Sequence, residues 1–369
     1  MQEKIIIITE GAFDDLSCAQ NTNKLLSIIR EFFDEIYLIT YCNKDLISLD
    51  NINIFSLDPK NNFFICFLSK QIQSTLLLLK IYRKYKVRSV MFAFGNDLLI
   101  LPLLFAKILR LKVILRSDGK PSITTKYNLR FYVFFKYLIK IIEFFNYNFC
   151  DILLTESKYM IDKYGFGKYN AAVGSLFIDS KFNKLKVLND RKYDLGFIGK
   201  FNEEKQPLKF LSAVNNVDNN CNVLIIGYGP DENKVITEIK KINNRKSKNV
   251  EHIRWVNHDN LYLYLNEVKL FVLPSLREGL PNVLMEAMSC GCIVLATDVG
   301  GIKGLINDNF NGYLLKDSNI DTLSKSIQNI SQHKDLEKMS NNASKSIRIE
   351  YSYSAILKQW ETVLIGIYG

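Results

Sequence analysis

Between Leu270 and Gly301 the chain reads LFVLPSLREGLPNVLMEAMSCGCIVLATDVGG. Apolar runs of strand length at Leu270–Leu273 and Cys292–Thr297 flank a segment of helical period. The stretch therefore predicts a buried strand, a loop over Pro274–Leu280, a helix opened by Pro281 and a second strand. Proline suits the first helical position, where a backbone N–H has no partner to lose. Into these apolar surroundings the chain places two carboxylates, Glu278 just before the helix and Glu286 within it. An isolated buried carboxylate costs several kcal/mol, so each needs a partner. The segment Gly279, Leu280, Pro281, Asn282 and Val283 offers a ligand free backbone N–H groups and the positive end of a helix dipole, which together favour phosphate. Glycine at 279 permits close approach. Read singly, Glu286 also fits a structural acid paired with an arginine, and Glu278 a helix-capping acid.

A length of 369 residues predicts two domains, each able to bury a core. Of the formal net charge of +10, residues 1–188 carry +9, from 26 Lys and Arg against 17 Asp and Glu. A basic first half implies an acidic partner, and its interleaved phenylalanines and tyrosines favour an anionic membrane surface over nucleic acid. Seven cysteines, at 18, 42, 66, 150, 221, 290 and 292, sit mostly in apolar runs and predict reduced, buried thiols rather than a disulfide framework. Cys290 and Cys292 have no second cysteine pair or nearby histidine to complete a zinc site. The opening MQEKIIIITE has the shape of a first buried strand rather than of an export signal. A cytoplasmic protein is expected.

The first half alternates strand-like and helix-like segments: Lys4–Thr9, Asn21–Phe33, Glu35–Thr40, then strands at Ser89–Phe94, Lys112–Arg116 and Asp151–Thr155. This alternation predicts an α/β domain with a parallel sheet, whose ligands bind beyond the carboxyl ends of the strands. The loop Glu10–Asp15 would lie there, with a single glycine, Gly11. Two segments, Phe63–Tyr82 and Leu129–Phe149, are rich in Phe, Tyr, Leu and Ile. Lys136, Lys140 and Glu143 interrupt the second, and each charge at the centre of a bilayer span costs about 2.5 to 3.5 kcal/mol. It reads as a helix lying in a membrane surface or packed on its own domain with lysine stems extended. With histidines only at 252, 258 and 333, any titrating role in the first half falls to a carboxylate. Asp118, in RSDGK after a strand, is the candidate, its other reading being a turn residue before Gly119.

Residues 183–192 are polar and basic and read as an interdomain linker. A strand over Asp194–Ile198 then ends in Gly199, with Lys200 and Lys205 in the loop before a helix from Pro207. Two cations at the carboxyl edge of a sheet can neutralise a diphosphate. A strand at Asn222–Gly227 leads into the tight turn Gly227-Tyr228-Gly229-Pro230, and a further strand is expected at Glu251–Val256. Helices are expected at Ile320–Ile330, Leu336–Arg348 and Ser354–Ile367. No DxD-type metal motif occurs, and no metal or other cofactor is expected.

The string EGLPNVLMEAMSCG followed by ATDVGG resembles the donor-binding motif of the retaining GT-B glycosyltransferases of the GT4 group. That resemblance implies two Rossmann-like α/β domains facing a central cleft, residues 1–185 for the acceptor and 186–350 for the nucleotide-sugar. A C-terminal helix, 351–369, would cross back to the first domain. It implies that Glu286 holds the ribose hydroxyls of the donor and Glu278 faces the donor sugar. Gly199, Lys200, Lys205 and the start of the Pro281 helix would carry the diphosphate. Lys200 stands where the family usually has arginine and lacks the planar fork; Asp118 stands near the position of a family histidine or aspartate. The base would meet backbone groups near Trp255–Asn257. The implied reaction is metal-independent transfer, with retention, from a UDP-sugar or GDP-mannose to a glycan or lipid-linked acceptor, with the protein peripheral at the inner face of the plasma membrane. Other readings are a sugar-nucleotide epimerase and a non-catalytic nucleotide- or membrane-binding subunit of the same fold.

Overall fold

The structure is a computed structural model and describes residues 3–9, 16–41, 52–58, 63–124, 132–217, 220–244, 248–317, 319–333 and 335–368. The expected Glu10–Asp15 loop, Cys42 and the start of the Leu129–Phe149 segment lie outside these residues. The chain forms two compact units, Met1–Leu176 with Ile356–Gly369, and Phe177–Ala355.

The first unit is built on a seven-stranded parallel sheet of β1 (Lys4–Thr9), β2 (Glu35–Thr40), β3 (Ile52–Ser56), β4 (Ser89–Ala93), β5 (Lys112–Ser117), β6 (Ile152–Thr155) and β7 (Ala171–Val173) in the order β3-β2-β1-β4-β5-β6-β7. Its central strands are apolar without alternation, Ile5, Ile6, Ile7 and Ile8 all being fully buried, because helices cover both faces of such a sheet. The last helix, Tyr353–Tyr368, joins this unit from Ile356 onward. Its Trp360 is fully buried and donates its indole N–H to the Ser175 carbonyl at 2.9 Å. Farther along, the Tyr368 hydroxyl meets Ser89 Oγ and its ring meets Phe33 edge-on.

The second unit holds a six-stranded parallel sheet of β8 (Tyr193–Ile198), β9 (Cys221–Ile226), β10 (Lys248–Ile253), β11 (Val268–Leu273), β12 (Ile293–Thr297) and β13 (Tyr313–Leu315), ordered β10-β9-β8-β11-β12-β13. β10 ends three residues before the expected strand did, and Arg254–Asn257 belong to the loop beyond it.

The division between units falls after Leu176, earlier than the expected 185/186 boundary. The run 183–192 is not a free linker but part of the second unit. Arg191 is buried there and donates to the carbonyls of Val268 and Cys290, each at 2.8 Å, while Lys184 pairs with Glu337. A guanidinium with five donors can satisfy several strand-end carbonyls at once, which fastens this segment to the sheet.

Glu143 is likewise not a solvent-facing interruption of its helix, Tyr132–Phe149. Its side chain turns inward and accepts from the Ser122 N–H at 2.6 Å and Ser122 Oγ at 2.7 Å, at the start of the short helix Pro121–Thr124. Among the described residues no helix is long and apolar enough to cross a membrane. Cys66, Cys150, Cys221, Cys290 and Cys292 are free thiols.

Candidate active site

In the second sheet the strand order reverses between β8 and β11, so the loops leaving these two neighbours diverge and open a crevice at their carboxyl ends. The loop after β8 carries Gly199, Lys200 and Lys205; the loop after β11 carries Glu278 to Pro281. Gly199 anchors the first loop, donating its N–H to the Ile226 carbonyl at 3.0 Å. Gln206, in the left-handed region at φ 58°, turns the chain into the helix Pro207–Asn216. The Lys205 N–H is held by Asn202 Oδ1 at 2.9 Å, and its ammonium reaches both carboxylate oxygens of Glu278 at 2.7 Å. The Glu278 side chain is only 5% exposed and Lys205 is 25% exposed. Lys200 is exposed and has no acid partner among the described residues.

The helix begins at Asn282 rather than at Pro281, which sits in an extended conformation at the cap position. The reason lies in the hydrogen bonds: the Pro281 carbonyl accepts from the Leu284 and Met285 N–H groups, so proline supplies the first acceptor instead of the first helical residue. Pro281, at the cap position, supplies no side-chain cap of its own. Val283 and Asn282 therefore stand in the first turn with dipole and backbone donors directed out of the helix, the arrangement that suits an anion. Gly279 and Leu280 are gripped from behind by the loop after β12. A Cβ on Gly300 would lie 1.7 Å from the Glu278 carbonyl oxygen, and the Gly301 N–H donates to the Gly279 carbonyl at 2.7 Å. Gly300 also has φ +59°. The VGG sequence after β12 is thus what allows one loop backbone to lie on the other.

One turn into the helix, Glu286 is buried at 3% side-chain exposure, and its Oε1 is 2.7 Å from His258 Nε2. His258 comes from the loop after β10 and is 20% exposed. Its ring packs 5.1 Å from the ring of Phe182, whose carbonyl accepts from Ser289 Oγ on the Glu286 helix. Glu286 Oε2 has no hydrogen bond among the described residues. The partner of Glu286 is therefore a histidine and not the arginine that a structural reading anticipated. Sequence inspection passed over His258 because it lies 28 residues from its acid. Its signal was its position in the loop that follows a strand, in VNHD.

Asp118 belongs to the first unit, just beyond β5, and is not brought among these residues by the fold of the second unit. Its Oδ1 lies 2.5 Å from Arg116 Nη1, while Arg116 Nη2 reaches Glu156 Oε1 at 3.1 Å. Burial works against the Arg116 charge, and the carboxylates of Asp118 and Glu156 outweigh it, raising its pKa. In the neighbouring loop after β4, at the point where the first sheet reverses its order, Asp97 is buried and its pKa is pushed up to about 7 by desolvation. Tyr147 donates to Asp97 Oδ2 at 3.3 Å. Sequence reading did not single out Asp97, which in FGND has the look of a turn.

Residues 179–346 match the family model described as glycosyl transferases group 1. An uncharacterized glycosyltransferase of Methanocaldococcus jannaschii is 25% identical over 69% of this chain and 66% of its own length. The Escherichia coli UDP-Gal:alpha-D-GlcNAc-diphosphoundecaprenol alpha-1,3-galactosyltransferase is 29% identical over 44% of this chain and 43% of its own. The chain thus spans from about two fifths to about two thirds of these curated relatives. Anabaena HepE in complex with UDP superposes with a TM-score of 0.77 at 13% identity, covering 98% of this chain and 99% of that one, which shows a shared fold. The two parallel-sheet Rossmann-like units have the GT-B fold of these structural neighbours, and the second unit is similar in sequence to the glycosyl transferases group 1.

Proposed function

We propose that the chain is a retaining glycosyltransferase of the GT4 type. It moves a sugar from a nucleotide donor, a UDP-sugar before GDP-mannose, to a hydroxyl of a glycan or lipid-linked acceptor in cell-surface polysaccharide or glycoconjugate synthesis. The observation that carries this reading is the pair of buried acids at the switch point of the second sheet, each held by a base more exposed than itself. An incoming diphosphate meets the Lys205 ammonium, Lys200, which has no acid partner among the described residues, and the helix start at Asn282 and Val283. Lys200 and the helix start are already in place and stabilise the departing charge without reorganising, Lys205 joins them by exchanging its acid, and the reading needs no metal. Recruitment of Lys205 by phosphate loosens its hold on Glu278, whose carboxylate then faces the donor sugar. Glu286, with Oε1 fixed by His258, presents Oε2 to the ribose hydroxyls. His258 acts here as a positioning residue. Asp118, exposed on one side and fixed by Arg116 on the other, is assigned to the acceptor side. Attack on the face from which the diphosphate departs accounts for retention. A UDP donor is supported by the name of the Escherichia coli relative and by the UDP complex of HepE.

Thermal shifts with UDP, GDP and ADP and their sugars identify the nucleotide. Glu286→Ala is expected to weaken nucleotide binding about ten- to a hundredfold, the range for a lost charge-assisted hydrogen bond. Glu278→Ala is expected to slow transfer far more than it weakens binding. Wild-type titrations and rates for both variants would end the assignment. Transfer surviving EDTA and an axial-to-axial outcome at the anomeric centre, read by proton NMR, test metal independence and retention.

A further inference from the structure

Three helices of the first unit, Phe63–Tyr85, Ile100–Ile108 and Tyr132–Phe149, lie side by side, the middle one touching both neighbours. Their inner faces pack on the sheet, yet their outer faces are apolar as well. On the middle helix Leu101, Leu104, Phe105 and Ile108 recur at the spacing of one face and all are exposed. On the third, Tyr137, Ile141, Phe144 and Phe145 are exposed in the same way. On the first, exposed Ile65, Ile72 and Leu76 form a stripe that continues into exposed Lys80 and Arg83. An exposed apolar surface of this extent marks a partner.

At the carboxyl ends of the first two helices this face meets an open cavity of about 950 Å³ lined by Arg83, Lys86, Arg88, Arg110 and Lys112, with Glu3 as its acid. None of the five cations has an acid partner among the described residues. Lys86 and Arg110 stand in the left-handed region, at φ 54° and 57°, directly after the two helices, where glycine would be unstrained. Attraction to the helix dipoles explains a cation at each helix end. It does not explain Arg88, directly before β4, or Lys112, the first residue of β5. Five like charges around one cavity repel, and an anion relieves that repulsion.

We propose that this face docks on an anionic bilayer, with a lipid headgroup phosphate in the cavity and the helical stripes against the acyl boundary. A free phosphate would satisfy the cations and leave the stripes in water, whereas a lipid satisfies both. This proposal is independent of the transfer reaction. It places the contact on three helices and one cavity, and it gives Glu143 no part, because that carboxylate is turned into the protein.

The test is flotation of the full chain with phosphatidylcholine vesicles containing roughly 30% phosphatidylglycerol, a fraction set by the need for a negative surface potential, and with phosphatidylcholine alone. The wild type is expected to float with the anionic vesicles only. Arg83→Glu with Arg110→Glu should weaken this partitioning by at least about tenfold, and Leu104→Ser with Ile108→Ser should weaken it at high salt, where screening leaves the apolar contact dominant. Circular dichroism and melting curves confirm that each variant is folded. Equal flotation of the charge variant overturns the proposal. So does stabilisation by inorganic phosphate without flotation, which assigns the cavity to a free anion. A dimer abolished by Ile108→Ser in a chain that does not float assigns the face to a second copy.

Discussion

The two sheets place charge at corresponding edges in opposite ways. Beyond the second sheet the acids are buried and their bases are partly open: Glu278 and Glu286 are 5% and 3% exposed, Lys205 and His258 25% and 20%. Beyond the first sheet the base is buried and its acids are open, Arg116 at 0% against Asp118 at 39% and Glu156 at 16%. Arg116 also stacks 4.6 Å from the Phe94 ring and donates to the Gly174 carbonyl. A partly open base can exchange its acid for a phosphate at small desolvation cost, so the second arrangement suits an anionic ligand that comes and goes. A buried guanidinium cannot be re-partnered without leaving a charge in a dry interior. It holds two carboxylates in place, an arrangement that suits a neutral, hydroxyl-bearing ligand such as the acceptor of the proposed reaction.

The severest way to break this contrast is Arg116→Met. Removing one member of a buried ion pair costs about 3 to 5 kcal/mol, read as a lowered urea midpoint of the transition that reports the first unit. A loss under about 1 kcal/mol would mean that water already satisfies Asp118 and Glu156. Next comes pH. The folded state holds a proton on Asp97 up to about pH 7, while an unfolded aspartate releases it near its ordinary value of 3.8. The folded state thus binds more protons within that window, and stability falls as pH rises from about 4 to about 7, by about 1.4 kcal/mol per pH unit at most, then levels. Asp97→Asn should flatten this slope; an unchanged slope would show that Asp97 is solvated. The smallest effect belongs to the exchangeable pair. Lys205→Met leaves Glu278 without its cation and should cost about 1 to 3 kcal/mol, much of it recovered in the double variant with Glu278→Gln. Thermal midpoints of the single and double variants measure the coupling. Additivity would place Lys205 outside the pair and remove the contrast.

How much of this was legible differs between the units for a physical reason. The strand, loop and helix around Glu278 and Glu286 are contiguous, and their apolar periods and glycines locate the element boundaries to within a residue or two. Pro281 is the exception, since a proline at the cap and one at the first helical position leave the same sequence pattern. In the first unit Glu143 looked like a charge that keeps a helix at a surface, and it is a buried acceptor for Ser122. Residues 183–192 looked like a linker because they are polar, and Arg191 makes them part of the second unit. Polarity reports what a residue requires, not where it finds it.

From its sequence alone this chain is committed to two α/β units, to apolar strands covered on both faces, and to a pair of acids beside a helix start. Those properties follow from periodicity and from groups a few residues apart. Only the tertiary structure decided that Glu278 takes Lys205, that Glu286 takes His258 and not an arginine, and that Asp97 is buried at the reversal of the first sheet. These pairings join loops that leave different strands, and a hydrogen bond near 2.7 Å depends on where strand order brings those loops. Local spacing carries no record of that order.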